Sequence, residues 1–288
     1  MRNPFKLSHY WRRTADRHTP EHPADGARPH WFDRALAALR VHDYAAAVEC
    51  FERAVQSAPQ THAVWYGYGM ALYHRGRDDE ALQAFTKAWR RQPLSHLACY
   101  GCGVALAELG YGEEALAAFD QAIALRPQSY LAWLAKGMTL VDRQQWQEAV
   151  PVFHAALQRH ARAAQTWYGL GVAYLQAGEH RKAHTAFDVS TRLQHDFELA
   201  WYGKGLALLH DHRPHGALEA LDRAIDLDPH CLIAWLKKAE TLEALGRLEA
   251  ARACYEEMLG RGDDAEPLCV QARQRLQQIA PALLRTRA

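Results

Sequence analysis

Cysteine and methionine are scarce in this chain, six and four among 288 residues. Six thiols over that length cannot staple a small disulfide framework; they fit the reduced, buried thiols of a cytosolic protein. An excess of one charge is also missing. Lys plus Arg number 34 against 33 Asp plus Glu, a formal net charge of +1, which argues against a dedicated nucleic-acid binder with a strong electrostatic footprint. No stretch approaches the ~20 apolar residues of a membrane helix, and the first 30 residues hold no apolar signal-peptide core. These absences together lead to the expectation of a cytoplasmic protein. No Ser-His-Asp, Cys-His or paired-carboxylate arrangement emerges, so neither an enzyme nor a cofactor is expected. The short "GYG", "GCG", "GLG" and "GKG" runs lie in helical patterns and lack the strand-to-helix context of a phosphate loop.

Hydrophobic residues make up 49% of the chain, enough for a real core. Their arrangement repeats. "AVWYGYGMAL" (63–72), "ACYGCGVAL" (98–106), "LAWLAKGMTL" (131–140), "QTWYGLGVAY" (165–174), "LAWYGKGLAL" (199–208) and "IAWLKKAETL" (233–242) are versions of one string. Trp31, Trp65, Trp133, Trp167, Trp201 and Trp235 keep a period of 34, and the one frame without Trp holds Cys99. Ala47, Ala81, Ala115, Ala149, Ala183, Ala217 and Ala251 keep the same step, and four places further on stand Phe51, Phe85, Phe119, Phe153, Phe187, Leu221 and Tyr255.

Each copy reads as two amphipathic helices, because apolar residues recur at three- and four-residue spacing. Gly76, Gly110, Gly178 and Gly246 mark the turn between them. Pro59, Pro93, Pro127 and Pro229 mark the exit, since proline cannot continue a helix interior. A Gly column (Gly69, Gly103, Gly137, Gly171, Gly205) and the Ala column supply small residues where helices approach closely, and the aromatics fill the space left.

The pattern resembles the tetratricopeptide repeat family, whose signature is Trp at place four, Gly at eight, Ala at twenty, an aromatic at twenty-four and Pro at thirty-two. With residue 28 as place one, repeats fall at 28–61, 62–95, 96–129, 130–163, 164–197, 198–231 and 232–264, about four-fifths of the chain. Cys99 replaces Trp, Ala35 and Ala239 replace Gly, and Ala161, His195 and Asp263 replace the closing Pro. The resemblance implies an all-α, right-handed superhelical solenoid of seven 34-residue helix-turn-helix repeats. Residues 265–288 are expected to form a capping helix and tail, with Leu268, Ala272, Leu276 and Ile279 as its apolar stripe and Pro281 as its stop. Residues 1–27 read as a disordered leader with a basic, aromatic start (Phe5, Lys6, Tyr10, Trp11, Arg12, Arg13) that could dock elsewhere.

In the family the first helices line a concave groove that holds a partner segment. The matching columns here are Tyr66, Tyr100, Leu134, Tyr168 and Tyr202 at place five, Met70, Val104, Met138, Val172 and Leu206 at place nine, and Tyr73, Val141, Leu175 and Leu209 at place twelve. Tyrosine offers contact area with one hydroxyl at low entropy cost, and methionine adapts to irregular surfaces. The Lys, Asn and Arg clamp of the chaperone-binding class is absent from the matching places. An apolar groove favours an amphipathic helix or hydrophobic peptide. The expected function is therefore a non-catalytic scaffold or adaptor. The alternatives are a peptide-sensing regulator and a groove filled internally, by the leader or by self-association. Place six is Gly in four copies (Gly67, Gly101, Gly169, Gly203), leaving either a notch for a partner or relief of crowding between helices.

Two clusters point elsewhere. His180 and His184 share a helix face, and His210, His212 and His215 surround the next turn; imidazoles at these spacings bind zinc, nickel or copper. Solvated turn histidines are the plainer reading, and a metal-responsive protein the other. Cys99 and Cys102 have the spacing of a zinc or redox pair, but both occupy packing places, and the small Cys99 marks the third repeat as a candidate soft seam. Lys136, Lys204 and Lys238 at place seven are expected to lay their stems over neighbouring helices with the ammonium in water.

Overall fold

The structure is a computed structural model that describes residues 30–263 and 265–286, with side chains through Pro281. The expected leader, residues 1–27, lies outside the described residues. All regular structure among the described residues is helical. The helices are α1 (His30–Arg40), α2 (Tyr44–Ser57), α3 (His62–His74), α4 (Asp78–Arg91), α5 (His96–Glu108), α6 (Gly112–Leu125), α7 (Tyr130–Asp142) and α8 (Trp146–Arg159). They continue as α9 (Ala164–Gln176), α10 (His180–Leu193), α11 (Glu198–His210), α12 (Pro214–Leu227), α13 (Leu232–Ala244), α14 (Leu248–Leu259) and α15 (Pro267–Thr286). From α3 on, each odd-numbered helix through α13 begins 34 residues after the last.

The two helices of a pair play different parts. Helix α3 buries ten of its 13 residues, whereas α4 buries Ala81, Ala84, Phe85 and Ala88 on one side and exposes the other. A helix apolar nearly all round must be enclosed, and one with a single apolar stripe must be a cover. First helices are therefore the inner layer and second helices the outer one.

The turn within each pair takes one residue through the left-handed region. Gly76, Gly110, Gly178 and Gly246 have φ of 74–86° there, while His42, Gln144 and His212 occupy the same place at 57–63°. The left-handed residue lets the next amide reach back to the first helix, as in Arg77 N–H to the Leu72 carbonyl at 3.0 Å and Tyr111 N–H to Leu106 at 2.9 Å.

Consecutive pairs are joined through the aromatic of the outer helix. A Cβ on Gly69 would stand 2.7 Å from the Phe85 ring, and one on Gly101 of the next pair 2.6 Å from the same ring. Phe187 is held in the same way between Gly171 and Gly203. At Gly101 and Gly203 the place-six glycine therefore makes room for the chain's own phenylalanine, which decides between the two readings at those two positions.

The chain divides into two compact units at His160/Ala161. In the first, α1–α8 stack pair on pair. In the second, α9–α14 do the same and α15 closes the end. Ala272 and Ile279 of α15 are buried in a cluster with Leu236, Ala239, Tyr255 and Met258, with Leu268 and Leu276 packed against it. Pro281 does not stop this helix, which continues to Thr286. A proline this near the end costs one backbone bond and leaves the following turn intact.

Candidate functional site

The expected groove residues are brought onto the first-helix faces, and most are buried. In the first unit Tyr66, Met70, Tyr73, Tyr100, Val104, Leu134, Met138 and Val141 are all less than a tenth exposed. Tyr66 and Tyr100 lean on the phenylalanine of their own pair, with ring centroids 5.6 Å from Phe85 and 6.0 Å from Phe119. The Tyr73 hydroxyl donates to Glu108 of the next first helix at 3.1 Å. In the second unit Tyr168, Val172, Leu175 and Tyr202 are buried, but Leu206 and Leu209 are half-buried. Leu199 and Ile233 at place two are half-buried as well. Burial pushes the Tyr100 and Tyr202 hydroxyls well above the ordinary phenol range, so both stay protonated.

The far end of this face in the second unit is polar and cross-linked. Glu240 of α13 pairs with Lys237 at 2.8 Å and accepts from Gln271 of α15 at 3.1 Å. Glu243 accepts from the Tyr255 hydroxyl at 3.0 Å and pairs with Arg275 at 3.5 Å. Two positions of the family's groove columns are thus spent on holding α15.

Two recurrent contacts between pairs escaped the sequence reading. The tryptophan indole donates to the carbonyl six residues earlier, at the exit of the preceding pair. Trp65 to Pro59 is 2.7 Å, Trp133 to Pro127 3.0 Å, Trp167 to Ala161 2.8 Å, Trp201 to His195 2.9 Å and Trp235 to Pro229 3.1 Å. Arg91 and Arg159 lie over Trp65 and Trp133, at 5.2 and 4.6 Å from the ring centroids, and each Nε donates to the same exit carbonyl as the ring beneath it. The other contact joins place seven to place 25 of the preceding pair: Lys136 to Asp120 at 2.6 Å, Lys204 to Asp188 at 2.7 Å, Lys238 to Asp222 at 2.6 Å and Tyr68 to Glu52 at 3.1 Å. The sequence does carry this signal, as a Lys–Asp spacing of 16 repeated three times. Desolvation and the Glu52 carboxylate push the Tyr68 hydroxyl up to about 12.

Cys99 and Cys102 occupy these two structural places. Cys99 stands in the tryptophan column without an N–H to offer Pro93, and Cys102 stands in the lysine column with its Sγ 3.9 Å from Thr86 Oγ1. Burial raises the Cys99 thiol, and the same effect takes Cys102 up to about 11. A thiol protonated at neutral pH is a poor nucleophile and a poor metal ligand.

Of the five histidines, the structure brings His180 and His210 together. Their rings stack with centroids 4.7 Å apart and 14° between planes. His184 is half-buried, and His212 and His215 are exposed. Among the described residues no three His, Cys, Asp or Glu side chains converge as a metal site would need. Burial, then the neighbouring His180, Lys237 and His212, lowers His210; burial, then Lys204 and Arg213, lowers His184. No described helix is long and apolar enough to cross a membrane.

Stacked helix pairs with these columns define a class of helical-repeat protein. The profile of the tetratricopeptide repeat matches residues 32–96, 79–130, 134–194 and 202–266, and the chain belongs to that family. Solved structures share the fold at low identity. MamA (residues 41 to the end) from Desulfovibrio magneticus RS-1 is 24% identical with a TM-score of 0.53, over 59% of this chain and 96% of that one. YrrB, described as a tetratricopeptide repeat protein with an unusual peptide-binding site, is 22% identical with a TM-score of 0.51, over 65% of this chain and 97% of that one. The APC/C hetero-tetramer Cut9–Hcn1 is 16% identical with a TM-score of 0.68, over 85% of this chain and 52% of that one. No curated protein sequence matches the chain.

Proposed function

We propose that this protein is a non-catalytic interaction scaffold that seats an apolar segment of a protein partner on its first-helix faces. The seven units expected from residue 28 onward, closed by residues 265–288, would each offer its own first-helix positions, with Leu206 and Leu209 the more open of the fourteen. The observation that carries the reading is the half-open apolar stripe of the second unit. Leu199, Leu206 and Leu209 lie along one side of α11, with Ile233 of α13 also half-buried. Apolar side chains at this spacing suit the anchors of an amphipathic helix or an extended hydrophobic peptide. Glu240 and Glu243 form a polar edge to the stripe. The peptide-binding site named for YrrB supports the same use of the fold. A cytoplasmic location belongs to this reading.

The test is affinity capture from the native cell with the wild type and with Leu206→Asp/Leu209→Asp, the helicity of both being checked. These two side chains are half-buried, Leu209 packing against Leu208, Ala217 and Ala220, so the change alters the face at a smaller cost to the core than serine at Tyr100, Tyr168 or Tyr202. A protein recovered by the wild type alone supports the reading. Equal recovery by both places the partner on another surface and refutes it.

A further inference from the structure

The edge of the second unit where α10 begins and α11 ends carries a contact next to the apolar stripe. His180 opens α10, His210 closes α11, and their rings stack with centroids 4.7 Å apart. The equivalent edge of the first unit is built differently. There Tyr44 of α2 stacks on His74 of α3 at 4.4 Å and 4°. A phenol stays neutral near pH 7 and accepts a cation on its face, so that pair tolerates a proton on its histidine. Two stacked imidazoles hold one proton between them far better than two.

The surroundings of the second-unit pair resist a second proton. His180 Nδ1 is shut off from solvent and has no hydrogen-bond partner among the described residues. A histidinium donates from both ring nitrogens, so a charged His180 must turn out of the stack to satisfy the second one. His210 faces His180 of α10, His212 of the following turn and Lys237 of α13, all bases. The nearby carboxylates are engaged: Asp211 with Arg181 of α10, Glu240 with Lys237 and Glu179 with Lys182. One turn along α10, His184 faces Lys204 of α11 and Arg213 as well as Asp188 and Asp211, and Asp188 is paired with Lys204 and Arg192. Helix α9 also packs on α10 and contains no Asp, Glu, Lys, Arg or His, and α12 adds no charged neighbour to His210. Without the stack, this edge keeps Arg181–Asp211 at 3.3 Å, an exposed pair that contributes little. The end of α11 is also where Leu206 and Leu209 stand.

We propose that the His180–His210 stack is a proton-released clasp that regulates the stripe: near neutral pH it holds the end of α11, and a second proton parts the rings and frees that end with Leu206 and Leu209. This inference rests on the stripe being the partner site. A segment that needs the ordered turn binds only the clasped form, so its apparent affinity falls with the clasped fraction.

The experiment uses the nitrogen-15-labelled full chain and reads amide exchange, corrected for the intrinsic rate, at pH 7.5 and pH 5.5. The amides of Asp211, His212 and Arg213 close α11 on the carbonyls of Ala207, Leu209 and Leu208 at 2.9–3.1 Å. Those of Arg75, Gly76 and Arg77 close α3 in the same way beside the Tyr44–His74 pair and serve as the control. Protection of the first set is expected to drop several-fold at pH 5.5 relative to the second, and affinity capture of the partner to drop with it. His180→Tyr, which copies the pair of the first unit, and His210→Gln, which leaves one ring, should each flatten both responses. Unchanged protection in the wild type, or an equal drop in both variants, overturns the clasp. A drop in protection with undiminished capture overturns its control of the stripe. The stripe itself is tested at pH 7.5 by Leu206→Asp/Leu209→Asp, and the exchange measurement needs no partner, so the two readings fail separately.

Discussion

The seams before α3 and α7 differ from the seam before α5. At the first two, a tryptophan and an arginine both donate to one exit carbonyl, Pro59 or Pro127, and the guanidinium lies on the ring. At the third, Cys99 stands where the ring would be and Leu125 where the arginine would be. Both members of the pair are changed together, and Leu94 and Leu125 are left exposed beside them. The ring bonds its exit carbonyl without a guanidinium at Trp167 and Trp201, where Leu193 and Leu227 stand in the arginine's place, but losing the ring removes the surface on which a guanidinium would lie. The solenoid tolerates the loss because the Phe85 ring between Gly69 and Gly101 still joins the same two pairs.

The largest effect expected from breaking this comparison is at the intact seam. Trp133→Ala should destabilise the chain by about 3 kcal/mol, the low end for a large aromatic because the ring is half-buried. Cys99→Ala should cost well under half of that, and urea denaturation followed by circular dichroism compares them. Next is Gly101→Ala, which sets a methyl 2.6 Å from the Phe85 ring. Overpacking costs about 1–3 kcal/mol against a helix-propensity gain of ~1, so the net change should be destabilising; a gain in stability would mean that the ring moves freely. Rebuilding the missing device comes third. Cys99→Trp and Leu125→Arg should each destabilise alone, and the double variant should recover about 1 kcal/mol relative to their sum. Native hydrogen exchange should also find α5 opening before α3 and α7.

The smallest effect concerns the stacked ring pairs. Tyr44 and His74 stack at 4.4 Å, and His180 and His210 at 4.7 Å in the equivalent place of the second unit. A histidinium can rest on a tyrosine, but two histidinium rings repel. His210 and His184 are held below the ordinary 6.5, so the unfolded chain binds protons that the folded chain does not. Their contribution should be intact above that value and be lost as pH falls through it toward the lowered folded values. Thermal melts at pH 7.5 and pH 5.5 should show the loss, and His210→Gln should reduce it. Both groups are largely solvated, so the change should be modest.

The architecture was legible because its rules are local. A tryptophan, a glycine, an alanine and a phenylalanine at fixed places name the buried sides of two helices without knowledge of the rest. The left-handed turn was legible where it is glycine and silent where His42, Gln144 or His212 takes it. Place six was ambiguous because the sequence shows that Gly101 is small but not what stands opposite it. The groove columns were recognisable as a face, but exposure depends on what covers a face, and burial of Tyr66 and Tyr100 is a property of the assembled chain. Pro281 misled for a related reason, since the rule against proline in helices weakens near an end.

The socket around Phe85 also bears on how such a chain can change length. Half of that socket, Gly69, belongs to the phenylalanine's own pair, and the other half, Gly101, to the pair that follows. A duplication of a 34-residue period that carries both glycines, such as 96–129 with Gly101 and Gly103, leaves a glycine waiting for the duplicated ring, so this joint does not record how many pairs there are. A break after α4 would instead leave a phenylalanine with half a seat. The array can grow by such periods, while its last member must always be given a substitute for the neighbour it lacks.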